Sequence, residues 1–164
     1  MQFFKYFAVG TCLFVMSYSM DNNKPTKDEL STVSYESENL IEKAQEVRLN
    51  SYSPYSNYKV GAALSTQTGK IYCGTNVENA AYGSTICAER AAICTAISDG
   101  AKNIEAIAVV TKDGGSPCGA CRQMLNEFNP DMIVILADEK GNVTKKCPLH
   151  KLLPMAFGPN NLSK

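Results

Sequence analysis

The sequence has no excess of charge of either sign and contains a single histidine. Lysine and arginine together number 16, and aspartate and glutamate together also number 16. Because phosphate contacts need a surplus of basic residues, this balance disfavours nucleic acid as a partner and favours an uncharged ligand. His150 lies in a Pro-Leu-His-Lys segment, where we expect a surface or helix-end residue. A metal site in this chain must therefore be built from other side chains.

The sequence also gives no sign of a disulfide framework. It contains 7 cysteines, three of which fall in short motifs with metal-ligand spacing. If the first residues of the chain were removed, the remaining thiols would be odd in number, and an odd number does not suggest paired cysteines. Free cysteine usually packs as a small apolar residue. We therefore predict buried thiols at Cys12, Cys73, Cys94 and Cys147.

The N-terminal residues have the layout of a short secretory signal. Lys5 precedes an apolar run over residues 7–16, and small residues follow at Ser17 and Ser19. The run is too short to cross a bilayer as a helix, so we expect no stable membrane association. Residues 21–38 are polar and lack apolar periodicity, which predicts a flexible lead-in. The chain thus divides into residues 1–20, residues 21–38 and one domain over residues 39–164.

Alternating helix and strand patterns predict the architecture of that domain. Leu40, Ala44 and Val47 recur at helical spacing, and a hairpin is expected around residues 67–69. Beyond the hairpin, the patterns predict a helix over 88–97, strands over 104–110, 132–137 and 143–145, a short helix from Cys118, and another between Pro148 and Pro154. Strands that alternate with helices imply an α/β fold, a three-layer α-β-α sandwich with a mixed sheet.

Two short motifs form a candidate metal site. The first reads Cys-Ala-Glu-Arg from Cys87, and the second reads Pro-Cys-Gly-Ala-Cys with its cysteines at Cys118 and Cys121. Structural zinc normally has four protein ligands, whereas catalytic zinc has three ligands and a water. No fourth ligand lies near these motifs in the sequence. We therefore predict one catalytic Zn²⁺ per chain, with Cys87 and Cys118 at helix starts, where the helix dipole stabilises a thiolate.

These motifs and their surroundings resemble the small zinc-dependent cytidine deaminases of pyrimidine salvage. The resemblance extends from about residue 40 to residue 162 and rests on Pro-Tyr-Ser-Asn-Tyr-Lys-Val-Gly-Ala-Ala at 54–63, Asn-Val-Glu-Asn-Ala at 76–80, Cys-Ala-Glu-Arg at 87–90, Pro-Cys-Gly-Ala-Cys-Arg-Gln at 117–123 and Leu-Leu-Pro-Met-Ala-Phe-Gly-Pro at 152–159. It implies hydrolytic deamination of cytidine and deoxycytidine to uridine and deoxyuridine. It also implies a homotetramer with shared active sites.

The resemblance implies roles for the residues around the metal. Glu89 is implied to take a proton from the water that attacks C4 of cytosine and to pass it to N3 and the amino group. Arg90 would hydrogen-bond a ligand sulfur and offset the negative charge of three thiolates. Backbone groups at Ala88 and around Ser116 would hold the base and the leaving amine. Arg122 reads equally well as a compensating cation or a surface charge.

Other residues are implied to bind the nucleoside. Asn76 and Glu78 lie two apart on an extended segment, so both side chains can reach the ribose hydroxyls from one side. Glu78 would also repel a 5′-phosphate. The resemblance implies that Tyr58 and Phe157 stack on the substrate, with Tyr82 nearby, whereas plain core packing is the alternative for Phe157. The family usually carries phenylalanine at the position of Tyr58, so a buried hydroxyl there needs a partner or a water.

Three alternatives remain open at the level of sequence. A deaminase of polynucleotides or of another aminated base shares the glutamate-centred motif, although the neutral charge and the implied sugar contacts disfavour it. A structural zinc module that binds a protein is disfavoured by Glu89 and by the missing fourth ligand. The localisation is also open: the N terminus allows secretion, whereas the resemblance to salvage enzymes favours the cytosol.

Overall fold

The structure, a computed structural model, describes residues 27–162. These residues form one five-stranded sheet, three α-helices and three single 3₁₀ turns. In chain order the main elements are α1 Lys27–Arg48, β1 Gly61–Thr66, β2 Ile71–Thr75, α2 Ala88–Ser98, β3 Ile104–Val110, α3 Gly119–Asn126, β4 Ile133–Ala137 and β5 Val143–Pro148. The strand order is β2-β1-β3-β4-β5, with β3 and β4 parallel and the other neighbours antiparallel. The predicted mixed sheet is confirmed.

Helices cover both faces of the sheet. On one face α1 buries Leu40, Ile41 and Ala44 against the sheet, and on the other face α2 and α3 enclose a larger apolar core. The central strand β3 is apolar from Ala106 to Val110 because it is covered on both faces: Ile107 and Val109 pack under α2 and α3, while Ala108 and Val110 pack under α1. The predicted three-layer α-β-α sandwich is therefore confirmed.

Two glycines let helices lie directly on the sheet backbone. A Cβ atom on Gly74 in β2 would overlap backbone atoms of Ala88 and Ala92 in α2. A Cβ atom on Gly61 in β1 would overlap the backbone of Ala44 in α1. Glycine permits such close approach because it has no side chain. As a result, β2 fixes the position of the helix that begins at the first cysteine motif.

The N-terminal boundary of the first helix differs from the prediction. Helix α1 begins at Lys27, so residues 27–38 are helical where the sequence predicted a flexible segment over residues 21–38. Helix extension adds one hydrogen bond per residue once a nucleus exists, and residues 40–48 supply that nucleus by packing on the sheet. The domain boundary at residue 39 stays a prediction. The signal-like residues 1–20, residues 21–26 and Cys12 lie outside the described residues.

Two smaller expectations are also corrected. The helix predicted between Pro148 and Pro154 is a single 3₁₀ turn, Leu149–Lys151, because the span between the prolines is too short for an α-helix. Cys94 is exposed instead of buried, since the inward face of α2 is taken by Ala92, Ile93 and Ala96. Cys73 and Cys147 are half-buried.

Within residues 27–162, no helix combines the length and the apolar character that a membrane span requires.

Candidate metal centre and active site

The three motif cysteines meet at the N-termini of two helices. Cys87 is the N-cap residue of α2, Cys118 is the N-cap residue of α3, and Cys121 lies in the first turn of α3. Their Sγ atoms all lie within 4.8 Å of one another, with 4.0 Å between Cys87 and Cys118 and 3.5 Å between Cys118 and Cys121. Tetrahedral zinc with Zn–S bonds of about 2.3 Å has S–S edges of about 3.8 Å. The cluster therefore fits a zinc ion held by three thiolates.

Electrostatics favour a thiolate in this cluster. A hydrogen bond from Cys121, followed by contacts from Arg90 and Cys118, lowers the pKa of Cys87 to about 5. The same hydrogen bond, together with burial, raises the pKa of Cys121. Arg90 Nη2 lies 3.8 Å from Cys87 Sγ and donates to the Thr85 carbonyl at 2.6 Å. The predicted contact between Arg90 and a ligand sulfur is thus present.

Glu89 is a buried carboxyl beside the cysteine cluster. It lies in the first turn of α2 and is 4% exposed. Burial is the main cause that raises the pKa of Glu89, and the negative charge of Cys87 adds to it. A carboxyl with a raised pKa can accept and return a proton at neutral pH. The side chain therefore has the environment of a general acid/base.

One cavity of about 320 Å³ collects most of the predicted site residues. Its lining includes Tyr58, Asn76, Glu78, Cys87, Ala88, Glu89, Ser116 and Cys118. Thr85, Val109, Thr111 and Gly115, which lie outside the sequence motifs, also line this cavity. A larger cavity of about 540 Å³ lies at the far end of α3 and is lined by none of the residues predicted to bind the metal, carry protons or contact the substrate. The smaller cavity is therefore the candidate active site.

Asn76 and Glu78 hold the opposite end of this cavity in place. Asn76 Oδ1 accepts hydrogen bonds from Ser51 Oγ at 2.6 Å and from the Val60 amide at 2.9 Å, while Nδ2 donates to the Tyr58 carbonyl at 2.9 Å. Its second amide proton can still reach a ligand hydroxyl. Glu78 accepts hydrogen bonds from the hydroxyl and amide of Ser56 and from the Tyr55 amide, which lower its pKa. Glu78 is therefore held as a carboxylate.

The three predicted aromatic contacts occupy different positions. Tyr58 lines the cavity and is 36% exposed. Tyr82 is 75% exposed, lies outside this cavity and contacts Tyr55 edge-on with ring centroids 5.9 Å apart. Phe157 is 60% exposed and also lies outside the cavity of its own chain. Within one chain, Tyr58 lines the site, Tyr82 lines an adjoining cavity that shares Ser56, Glu78 and Thr85 with it, and Phe157 lines neither cavity.

Comparison with known proteins agrees with this geometry. The family model for the cytidine and deoxycytidylate deaminase zinc-binding region matches residues 34–137. A cytidine deaminase of Sporosarcina psychrophila is 47% identical over 77% of this chain and 94% of its own length, and a probable cytidine deaminase of Dictyostelium discoideum is 44% identical over 77% and 87%. The chain belongs to the cytidine deaminase family. Its cofactor is zinc, and it is a hydrolytic enzyme.

A solved structure supports the same assignment. The crystal structure of cytidine deaminase from Burkholderia pseudomallei matches with a TM-score of 0.70 and 46% identity, covering 73% of this chain and 97% of that chain. The sheet and the helices that carry the site therefore have the cytidine deaminase fold.

The cytidine deaminase motifs did not reveal the hydrogen-bond partners of Arg122 or the part that Asp113 plays near the site. Arg122 donates to the Pro117 carbonyl at 2.8 Å, the Leu152 carbonyl at 2.8 Å and Ser116 Oγ at 2.7 Å, so it is neither a free surface charge nor a partner of sulfur. Asp113 accepts a hydrogen bond from the Tyr58 hydroxyl at 2.5 Å. A tyrosine at position 58 indicates that its hydroxyl needs a hydrogen-bond partner, but the sequence does not identify Asp113 as that partner.

Proposed function

We propose that the enzyme deaminates cytidine and deoxycytidine to uridine and deoxyuridine with release of ammonia, as in pyrimidine salvage. The observation that supports this most directly is the buried Glu89 beside three clustered thiols, two of which, Cys87 and Cys118, line the same cavity as Glu89. Zinc, when bound, supplies a water acidic enough to lose a proton near neutral pH. Cys87, Cys118 and Cys121 hold the metal, and Arg90 offsets their negative charge.

Glu89 moves the protons in the proposed reaction. It accepts a proton from the attacking water, delivers it to N3 of the pyrimidine and then assists protonation of the leaving amino group. Its burial supports this role, because the raised pKa makes the protonated form accessible during turnover. The Ala88 backbone and Ser116 lie in the same cavity and would orient the base and the leaving amine.

The sugar end of the cavity favours nucleosides over nucleotides. Glu78 is held ionised by Ser56 and Tyr55, and a fixed carboxylate at this end repels a 5′-phosphate. Asn76 can donate its remaining amide proton to a ribose hydroxyl. The chain also has equal numbers of basic and acidic residues, which disfavours a polynucleotide substrate.

We place the enzyme in the cytosol, where thiolate ligands stay reduced, with secretion as the alternative.

The substrate assignment can be tested with the zinc-loaded protein and matched substrates. We expect the ultraviolet absorbance change of deamination with cytidine and deoxycytidine, a lower kcat/KM with cytidine 5′-monophosphate, and no change with a cytosine-containing oligonucleotide. Activity on the oligonucleotide alone would identify a polynucleotide deaminase. A protein that retains zinc and deaminates none of the four would instead be a structural zinc module.

A homotetramer with shared sites is also part of the proposal. The cavity of one chain, about 320 Å³, is at the small end of the range for ligand sites, so further walls are expected. Several large apolar side chains are exposed in the single chain, and exposed apolar surface commonly marks an interface. They include Tyr52, Tyr55, Val77, Tyr82, Ile86, Met155 and Phe157. Phe157 would reach the cavity of a neighbouring subunit and stack on the ligand, with Tyr82 nearby.

Phe157→Ala tests the shared site. We expect a higher KM and weaker assembly, because Phe157 would be buried between subunits in the proposed tetramer and truncating a buried aromatic side chain typically costs about 3–5 kcal/mol. Mixing Phe157→Ala with Cys118→Ala should restore part of the activity, since some sites in the hybrids would be intact. Mixing Cys118→Ala with Glu89→Ala is the control and should restore none, because both residues come from the same chain. A fully active monomer in sedimentation at assay concentration would contradict the proposal.

A further inference from the structure

The cavity lies between two loops. Each loop is held by hydrogen bonds to residues on its own side of the cavity. Loop 53–60 contributes Ser56 and Tyr58 to the cavity wall, and loop 111–118 contributes Thr111, Gly115 and Cys118. Hydrogen bonds to Asn76 and Glu78 hold the backbone of loop 53–60. Loop 111–118 is held by contacts from β5, a bridge to the β4–β5 turn, and Arg122. Substrate must fit between the two loops.

A side-chain hydrogen bond from Tyr58 to Asp113 joins these two loops. The Tyr58 hydroxyl donates to Asp113 Oδ1 at 2.5 Å, and Thr111 Oγ1 donates to the same oxygen at 3.1 Å. Thr111 Oγ1 in turn accepts from the Gly115 amide at 2.6 Å. The hydrogen bond from Tyr58, followed by that from Thr111, lowers the pKa of Asp113 and keeps it ionised. The network thus runs from the aromatic wall to the loop that ends at Cys118.

The network has little room to rearrange. A Cβ atom on Gly115 would lie 2.9 Å from the Tyr58 hydroxyl and 3.4 Å from Asp113 Oδ1, so the hydroxyl fills the space beside this glycine. Asp113 itself lies outside the cavity lining, whereas Tyr58 belongs to it. Because the hydroxyl is bonded to loop 111–118, the ring is the part of Tyr58 that is left to contact a substrate.

We propose that Asp113 is a positioning residue, which holds the Tyr58 ring and ties loop 53–60 to loop 111–118 before substrate binds. The inference rests on the proposed function, because it assumes that a nucleoside enters this cavity. A half-exposed ring without this bond would have to be ordered when the substrate binds. Ordering it in advance lowers the cost of binding and leaves the chemical step, which takes place at Glu89 and the cysteines, unchanged.

A variant panel tests this role through KM and kcat. We expect Tyr58→Phe and Asp113→Ala each to raise KM for cytidine roughly two- to tenfold, the range that ordering one side chain would produce. We expect kcat to stay within about twofold, since the groups that carry out proton transfer are untouched. The double variant should be no worse than either single variant, because both changes remove the same contact. Asp113→Asn keeps an acceptor oxygen and should recover most of the lost affinity.

The chain offers a matched control for a purely structural effect. Tyr72 also donates its hydroxyl to an aspartate, Asp99, at 2.7 Å, but it lies outside the active-site cavity. Tyr72→Phe should lower the unfolding temperature without changing KM. A wild-type KM in Tyr58→Phe, additive effects in the double variant, or an equal KM in Asp113→Asn and Asp113→Ala would each overturn the inference. Absence of cytidine turnover in the unmodified enzyme would instead overturn the proposed function.

Discussion

Glu89→Ala should lower kcat by at least about 10²–10⁴ while zinc stays bound and the fold stays intact. The expectation follows from the position of the carboxyl, which is buried beside the cysteine cluster but supplies none of its three sulfur atoms. Removing a buried carboxyl with a raised pKa also removes a desolvation cost, so we expect no loss of stability. Steady-state kinetics together with zinc content per chain measures both parts of the prediction.

Glu89→Gln is the matched variant for this experiment. It keeps the size and the polarity of the side chain but cannot exchange a proton, so it should be impaired nearly as much as Glu89→Ala. A glutamine variant with wild-type kcat would show that shape, not proton transfer, is what position 89 contributes. Full activity of Glu89→Ala with bound zinc would remove the residue from the mechanism.

Cys118→Ala should lose both the metal and the activity. Two remaining thiolates hold zinc weakly, and metal affinity depends steeply on the number and type of ligands. Zinc per chain after dialysis, measured by elemental analysis, should fall well below one, and added cytidine should not be deaminated. The exposed thiol of Cys94, on α2 outside the cluster, provides the control. Cys94→Ala should keep one zinc per chain and the wild-type kcat.

The outcome for Cys118→Ala also tests the ligand set itself. If this variant kept one zinc per chain, another residue would be completing the site and the assignment of three cysteines would be wrong. Loss of zinc in Cys94→Ala as well would indicate a general loss of folding, which thermal unfolding would reveal. The pair of variants therefore separates ligation from stability.

The elements with the strongest patterns were predicted well from the sequence. The strand over residues 104–110 and the helix that begins after Cys87 were found in place, because a mostly apolar segment and an alanine-rich segment both pack readily in a layered fold. The spacing of the two motifs also predicted a metal site, and the structure brings Cys87, Cys118 and Cys121 together. The catalytic role of Glu89 came from the family resemblance and stays a prediction.

Features that depend on distant contacts could not be predicted. The start of α1 at Lys27 depends on a nucleus that packs further along the chain, and the exposure of Cys94 depends on which face of α2 meets the sheet. The partner of the Tyr58 hydroxyl lies 55 positions away at Asp113. No local periodicity encodes such a pair. The sequence predicts that the Tyr58 hydroxyl needs a hydrogen-bond partner. Only the folded structure shows that this partner is Asp113.

The glycine at position 74 limits how this active site can be re-engineered. The backbone of α2 contacts Gly74 of β2 directly, with no side chain between them. Changing the size of core side chains therefore offers no way to adjust the distance of Cys87 and Glu89 from β2. A larger residue there would displace the metal ligand and the proton carrier together. Changes of substrate range are therefore expected from substitutions in loop 53–60 and loop 111–118. These loops border the cavity and can vary while Cys87 and Glu89 keep their positions.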